Sequence, residues 1–146
     1  MGSPAPPLSI GLDRPRAMIR RWARRGVVIA AWLFVAGVVG QVFLAGLGVF
    51  GVPTGDFSTH RGFGYLVGWL TLVVLVLAIA GRLPRRDIAL AVLLLIQFAL
   101  QSVFVAIRDE YPAVAALHPL NGFLILLVGI VIARDARASI GASVAA

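Results

Sequence analysis

The sequence contains no cysteine and no lysine, and charged residues make up only 13% of its 146 positions. The first absence excludes disulfides, thiolate zinc sites, iron–sulfur clusters and covalent c-type haem attachment. The shortage of charge excludes a water-soluble globule, since soluble domains are about one quarter charged. Hydrophobic residues account for 60% of the chain and the mean hydropathy is +0.98. Too little polar surface is available to coat a domain in water, so the expected solvent is lipid. All 13 basic residues are arginine, a usage that points to a GC-rich bacterial genome.

Four long apolar runs follow a polar, basic lead. They cover residues 26–50, 61–80, 88–107 and 117–133. A helix needs about 20 residues to cross a hydrocarbon core of about 30 Å. The first three meet this, and the fourth does so only if His118 lies close to the bilayer boundary or Arg134 snorkels. The expected fold is all-α: an antiparallel up-down-up-down four-transmembrane-helix bundle, read as two repeated hairpins. Residues 1–25 read as a basic cytoplasmic segment and residues 134–146 as a cytoplasmic tail. Pro4, Pro6, Pro7 and Pro15 argue against helix through most of the lead. Residues 18–25 are compatible with a short amphipathic surface helix. The first apolar run exceeds a signal-peptide core of about 7–15 residues and reads as a retained span. Gly81 is placed as a helix C-cap, with Pro84 preventing continuation.

Orientation is read from the arginines. Eleven (Arg14, Arg16, Arg20, Arg21, Arg24, Arg25, Arg82, Arg85, Arg86, Arg134, Arg137) fall on one side of the four spans, and two (Arg61, Arg108) on the other. The arginine-rich side is expected to be cytoplasmic, with both termini there, in a bacterial inner membrane. The net charge of +7 is explained by this clustering, so no nucleic-acid partner is expected.

Aligning the two histidines reveals an internal repeat. Residues 60–66 read His-Arg-Gly-Phe-Gly-Tyr-Leu and residues 118–124 read His-Pro-Leu-Asn-Gly-Phe-Leu. Upstream, Gln41-Val-Phe-Leu-Ala is echoed, one residue out of step, by Gln101-Ser-Val-Phe-Val-Ala. A parallel repeat of hairpins would be related by an axis along the membrane normal. It would set the second and fourth spans at equivalent positions, with both histidines at one depth.

Ionisable residues inside membranes are rare and costly. His60 and His118 are therefore candidate axial ligands of a b-type haem, one from each face. Gly64 and Gly122, four residues on, share the histidine face and would let a porphyrin edge approach the backbone. Gly68 would extend that groove and Arg61 could pair with a propionate. The plainer reading of the same residues is a helix-start histidine, with His118 followed by Pro119 at a first-turn position. Gly64 and Gly68 would then serve close helix packing. Gln41, Gln97 and Gln101 lie within apolar runs, read first as interhelical hydrogen-bonding groups and otherwise as the lining of a cofactor or quinone pocket. Arg108 sits beside Asp109 and Glu110, and Asp56 falls one turn before His60 in a loop. No catalytic triad, phosphate loop or metal–carboxylate cluster is visible, and the chain is not expected to be an enzyme on its own.

The Gln-Val-Phe-Leu-Ala-Gly run at 41–46 and the two histidine-led helix starts resemble an uncharacterised family of small four-helix bacterial membrane proteins. More distantly, the layout resembles one four-helix half of haem A synthase, which holds a haem between histidines at the outer ends of its second and fourth helices. That resemblance implies axial roles for His60 and His118. The synthase has a glutamate three residues before its catalytic-half histidine, where this chain has Phe57, and outer-loop cysteines that this chain lacks. Methyl oxygenation is therefore not implied, and a bare haem b site is. The expected function is haem binding for electron transfer or haem handling, with the lipid bilayer, a quinone, a redox protein, another membrane subunit or a homo-oligomer as partners. The alternatives are a cofactor-free interaction or assembly subunit and, less favoured, a quinone-binding protein or small-molecule permease.

Overall fold

A computed structural model of the chain describes residues 13–51 and 57–145. Four long helices and one short turn of helix account for these residues: α1 (Asp13–Val49), α2 (Phe57–Ala80), α3 (Arg85–Ala106), the single turn α4 (Pro112–Ala115) and α5 (Leu117–Ala145). Each long helix contains an 18-residue window of mean hydropathy between 2.1 and 2.4, enough in length and composition to cross a membrane. Large apolar side chains cover the outside of the bundle, among them Trp32, Phe43, Leu66, Trp69, Ile96 and Leu127. Exposed apolar surface of this extent is stable only against lipid.

The interior-facing residues recur at alternating steps of four and three. On α2 they are His60, Gly64, Val67, Thr71, Val74 and Ala78, and on α1 they are Ala23, Val27, Ala30, Phe34, Gly37 and Gln41. A repeat of 3.5 residues keeps one seam facing its neighbours in a left-handed bundle. Each helix packs against two others: α1 against α2 and α5, and α3 against α2 and α5. The second and fourth spans, α2 and α5, are therefore diagonal partners across the bundle centre, as a two-fold arrangement of hairpins requires. Midway along, Phe34 is fully buried and meets Phe98 edge-on at 6.2 Å, surrounded by Val67, Val74, Leu94, Ile125 and Ile132.

Two boundaries differ from those expected. First, α1 is one helix of 37 residues, about 55 Å long, and passes through residues 18–25 without a break. Pro15 is tolerated because it stands in the first turn, where its missing N–H has no helical partner to lose. Pro4, Pro6 and Pro7 lie outside the described residues. Second, α5 continues past Arg134 for a further three turns, so the helix outlasts the apolar run of the fourth span. Ala23 on α1 and Ala136 on α5 are buried there, carrying the bundle beyond the apolar runs.

The α2–α3 turn lies at this same arginine-rich end. Leu83 N–H donates to the Ala78 carbonyl at 3.0 Å and Arg82 N–H to the Ile79 carbonyl at 3.0 Å, the two bonds of a Schellman cap. Gly81 ends the helix as expected, but the left-handed residue is Arg82, with φ of 49°. Gly81 is needed for space instead: a Cβ there would lie 3.0 Å from the Leu77 carbonyl oxygen and 3.2 Å from Arg24 Cγ. Arg24 Nε donates to the Gly81 carbonyl at 3.0 Å, satisfying a group at the helix end.

Candidate cofactor site at the histidine end

Both histidines stand near the start of their helix, His60 as the fourth residue of α2 and His118 as the second of α5. Each is anchored to the preceding helix of its own hairpin. His60 Nδ1 lies 3.1 Å from the Gln41 carbonyl oxygen, and His118 Nδ1 lies 3.2 Å from the Gln101 carbonyl oxygen. A carbonyl can only accept, so each Nδ1 carries the proton and donates it. In a neutral ring that leaves Nε2 with its lone pair available, the arrangement commonly seen behind metal-bound histidines.

The two rings meet across the bundle. Their centroids are 6.3 Å apart and their planes are inclined by 65°. An imidazole nitrogen binds a metal at about 2.0 Å, and the ring centre lies roughly 1.1 Å behind it, so two convergent axial rings have centroids roughly 6.2 Å apart. The centroid separation is that of two rings sharing a metal and equally that of an ordinary edge contact between rings. Among the described residues no group of three or more His, Asp or Glu side chains is placed to hold a metal. Two imidazoles alone suit a metal whose other ligands come from a macrocycle, as in a bis-histidine haem.

The surrounding residues form a polar layer beneath the rings. A Cβ on Gly64 would lie 2.6 Å from Gln41 Nε2, and one on Gly122 would lie 3.5 Å from Gln101 Nε2, so each glycine receives the carboxamide of the preceding helix. The space beside Gly68 is taken by the Phe98 ring, 2.5 Å from a would-be Cβ. Arg61 is exposed at the mouth. Arg108 donates to the Val105 carbonyl at 3.2 Å and pairs with Asp109 at 3.6 Å. Phe57 stands edge-on to His60, with ring centroids 6.4 Å apart. Asp56 lies outside the described residues.

Asn121 is the residue that sequence reasoning did not single out. It is buried on α5, donating to the Gln97 carbonyl at 2.8 Å and to Gln101 Oε1 at 2.9 Å. Its signal was present: it stands three residues after His118, hence on the same face. The equivalent position in α2 is Phe63, and the position on α1 equivalent to Gln97 is Gly37. The repeat is therefore exact for the histidines and their carbonyl anchors but polar on one side only. Gln41 Oε1 and Gln97 Oε1 are buried acceptors without a hydrogen-bond partner, an expense that marks the layer as specialised.

Residues 41–107 match the model of a Family of unknown function (DUF6220). That segment holds Gln41, His60, Gly64, Gln97 and Gln101 and stops before His118. No curated protein and no solved structure matches the chain.

Proposed function

We propose that the chain is a b-type haem protein of a bacterial inner membrane, with His60 and His118 as the axial ligands. One observation carries the reading: two diagonal imidazoles 6.3 Å apart, each with Nδ1 held by a main-chain carbonyl and Nε2 left to bind. Bound haem b supplies reversible one-electron chemistry at its iron. The chain's own contribution is to fix both tautomers, hold the rings on opposed helices and keep bulk water from the apolar half below. The Gln41 and Gln101 carboxamides, now over Gly64 and Gly122, would turn aside to admit the macrocycle. Arg61, at the mouth, is the cation available to a propionate. A site at one end of the bundle serves exchange with a quinone, a redox protein or a second membrane subunit at that face.

Spectroscopy of the full chain, purified in detergent after expression with haem supplied, tests this. The expected result is a Soret band and sharp reduced α and β bands, lost in His60→Ala and in His118→Ala. A colourless preparation, or spectra that neither substitution alters, overturns it. The cofactor-free interaction protein is supported by a separate observation. The glycine faces are already filled by Gln41, Gln101 and Phe98, and 6.3 Å is also an ordinary edge contact between two rings. On that reading the purified protein is colourless and the histidine substitutions alter only its stability.

A further inference from the structure

The arginines of α1 fall on different faces of one helix. Ala23, Val27, Ala30 and Phe34 define the line that faces the bundle, and Arg24, on its flank, is tied to the Gly81 carbonyl. At about 100° per residue, Arg14, Arg21 and Arg25 lie on the opposite face. With Ala17, Met18 and Trp22 they line a single shallow cleft. The Arg25 guanidinium sits 5.5 Å from the centre of the Trp22 ring, a cation–π contact. Among the described residues the ion pairs lie elsewhere, at Arg86 with Asp87 and Asp135 and at Arg108 with Asp109. No carboxylate among the described residues lines the cleft.

We propose that this cleft binds the headgroup of an anionic phospholipid, its phosphodiester oxygens taken by Arg21 and Arg25 beside Trp22. Three features select a lipid rather than a soluble anion. The cleft faces away from the bundle, at the level where α1 leaves its apolar run and lipid headgroups meet water. It runs without interruption into an apolar stripe on the same face, where Ile29 is 62% and Trp32 is 42% exposed, and this stripe suits the acyl chains. Arg21 to Arg25 spans about 6 Å along the helix, the depth of a headgroup layer of about 5–7 Å. Arginine is suited to the task because its planar fork grips phosphate oxygens in pairs.

Native mass spectrometry of the full chain in detergent, titrated with phosphatidylglycerol or phosphatidylcholine, decides the matter. Phosphatidylglycerol is expected to bind about tenfold more tightly. Arg21→Gln/Arg25→Gln should reduce that affinity about tenfold or more and leave phosphatidylcholine unchanged. Arg82→Gln/Arg134→Gln, which removes equal charge from the same end but outside the cleft, should leave it within about threefold. Equal losses in both double variants would mean diffuse attraction and overturn the site, as would full retention in Arg21→Gln/Arg25→Gln. Displacement of phosphatidylglycerol by a short oligonucleotide of higher affinity would overturn the choice of occupant. Haem is involved in none of these measurements.

Discussion

A glycine's worth depends on what its missing side chain would strike. Among the interior glycines the obstacles differ in stiffness. A Cβ on Gly68 would press 2.5 Å from a Phe98 ring carbon, and one on Gly37 would press 2.7 Å from Val67 Cγ2. Neither neighbour swings away freely, because a packed ring and a β-branched side chain have few alternative rotamers. Gly68→Ala and Gly37→Ala should each cost about 1–3 kcal/mol of stability. Gly122→Ala meets the end of Gln101 at 3.5 Å, and Gly46→Ala meets nothing within 4 Å, so both should stay within about 0.5 kcal/mol. Thermal unfolding of the four variants in one detergent ranks them, and a wild-type midpoint for Gly68→Ala would contradict the close approach of α2 and α3. The sequence shows that Gly64 and Gly68 share the His60 face, since that follows from helical periodicity alone. It could not show that Gln41 and Phe98 fill the space beside them, because neighbours across a bundle depend on the register between helices. The carbonyl anchors of His60 and His118 were hidden for the same reason.

At the scale of the helix, the apolar runs locate the spans but not the helix ends. Hydropathy falls at Arg25 and Arg134, yet α1 and α5 pass both points, because a continuous hydrogen-bond ladder does not stop where lipid stops. Small residues make the extension possible: Ala23 and Ala136 let the helices stay in contact below the apolar core. The same end holds a charge arrangement with a definite consequence. Asp87, in the first turn of α3, has a side chain only 7% exposed, and Arg86 contacts both it and Asp135 of α5. Removing Asp135 leaves Asp87 with its cation and with the favourable helix N-terminus. Removing Arg86 leaves two carboxylates facing each other, one of them buried. Arg86→Ala should therefore destabilise by about 1–2 kcal/mol, while Asp135→Asn costs about 0.5 kcal/mol or less. In Arg86→Ala/Asp135→Asn part of the Arg86→Ala loss should be recovered. Unfolding midpoints of the three variants check this double-mutant cycle, and additive losses would show that Arg86 does not mediate between the two acids.

The whole molecule is two hairpins facing each other, and this was legible in outline because the histidine-led repeat survives in the sequence. The diagonal placement of α2 and α5 follows from that repeat. The uneven polar layer, with Asn121 and Gln97 on one side and Phe63 and Gly37 on the other, does not. An even number of spans puts the start of α1, the α2–α3 turn and the end of α5 at one end of the bundle, and the histidines at the other. Eleven arginines belong to the first end and two to the second. The transfer of arginine across a membrane is resisted during insertion, so the crowded end should remain in the cytoplasm. A fluorescent reporter that matures only in the cytoplasm should glow when fused at either terminus. Alkaline phosphatase, active only outside, should work when fused after Arg108 and fail when fused after Arg82. The reverse pattern would place the histidines on the cytoplasmic face, where any haem they hold would meet a different set of redox partners. A mixed pattern would mean that Arg61 and Arg108 offset the bias, and replacing both with glutamine should then restore a single orientation.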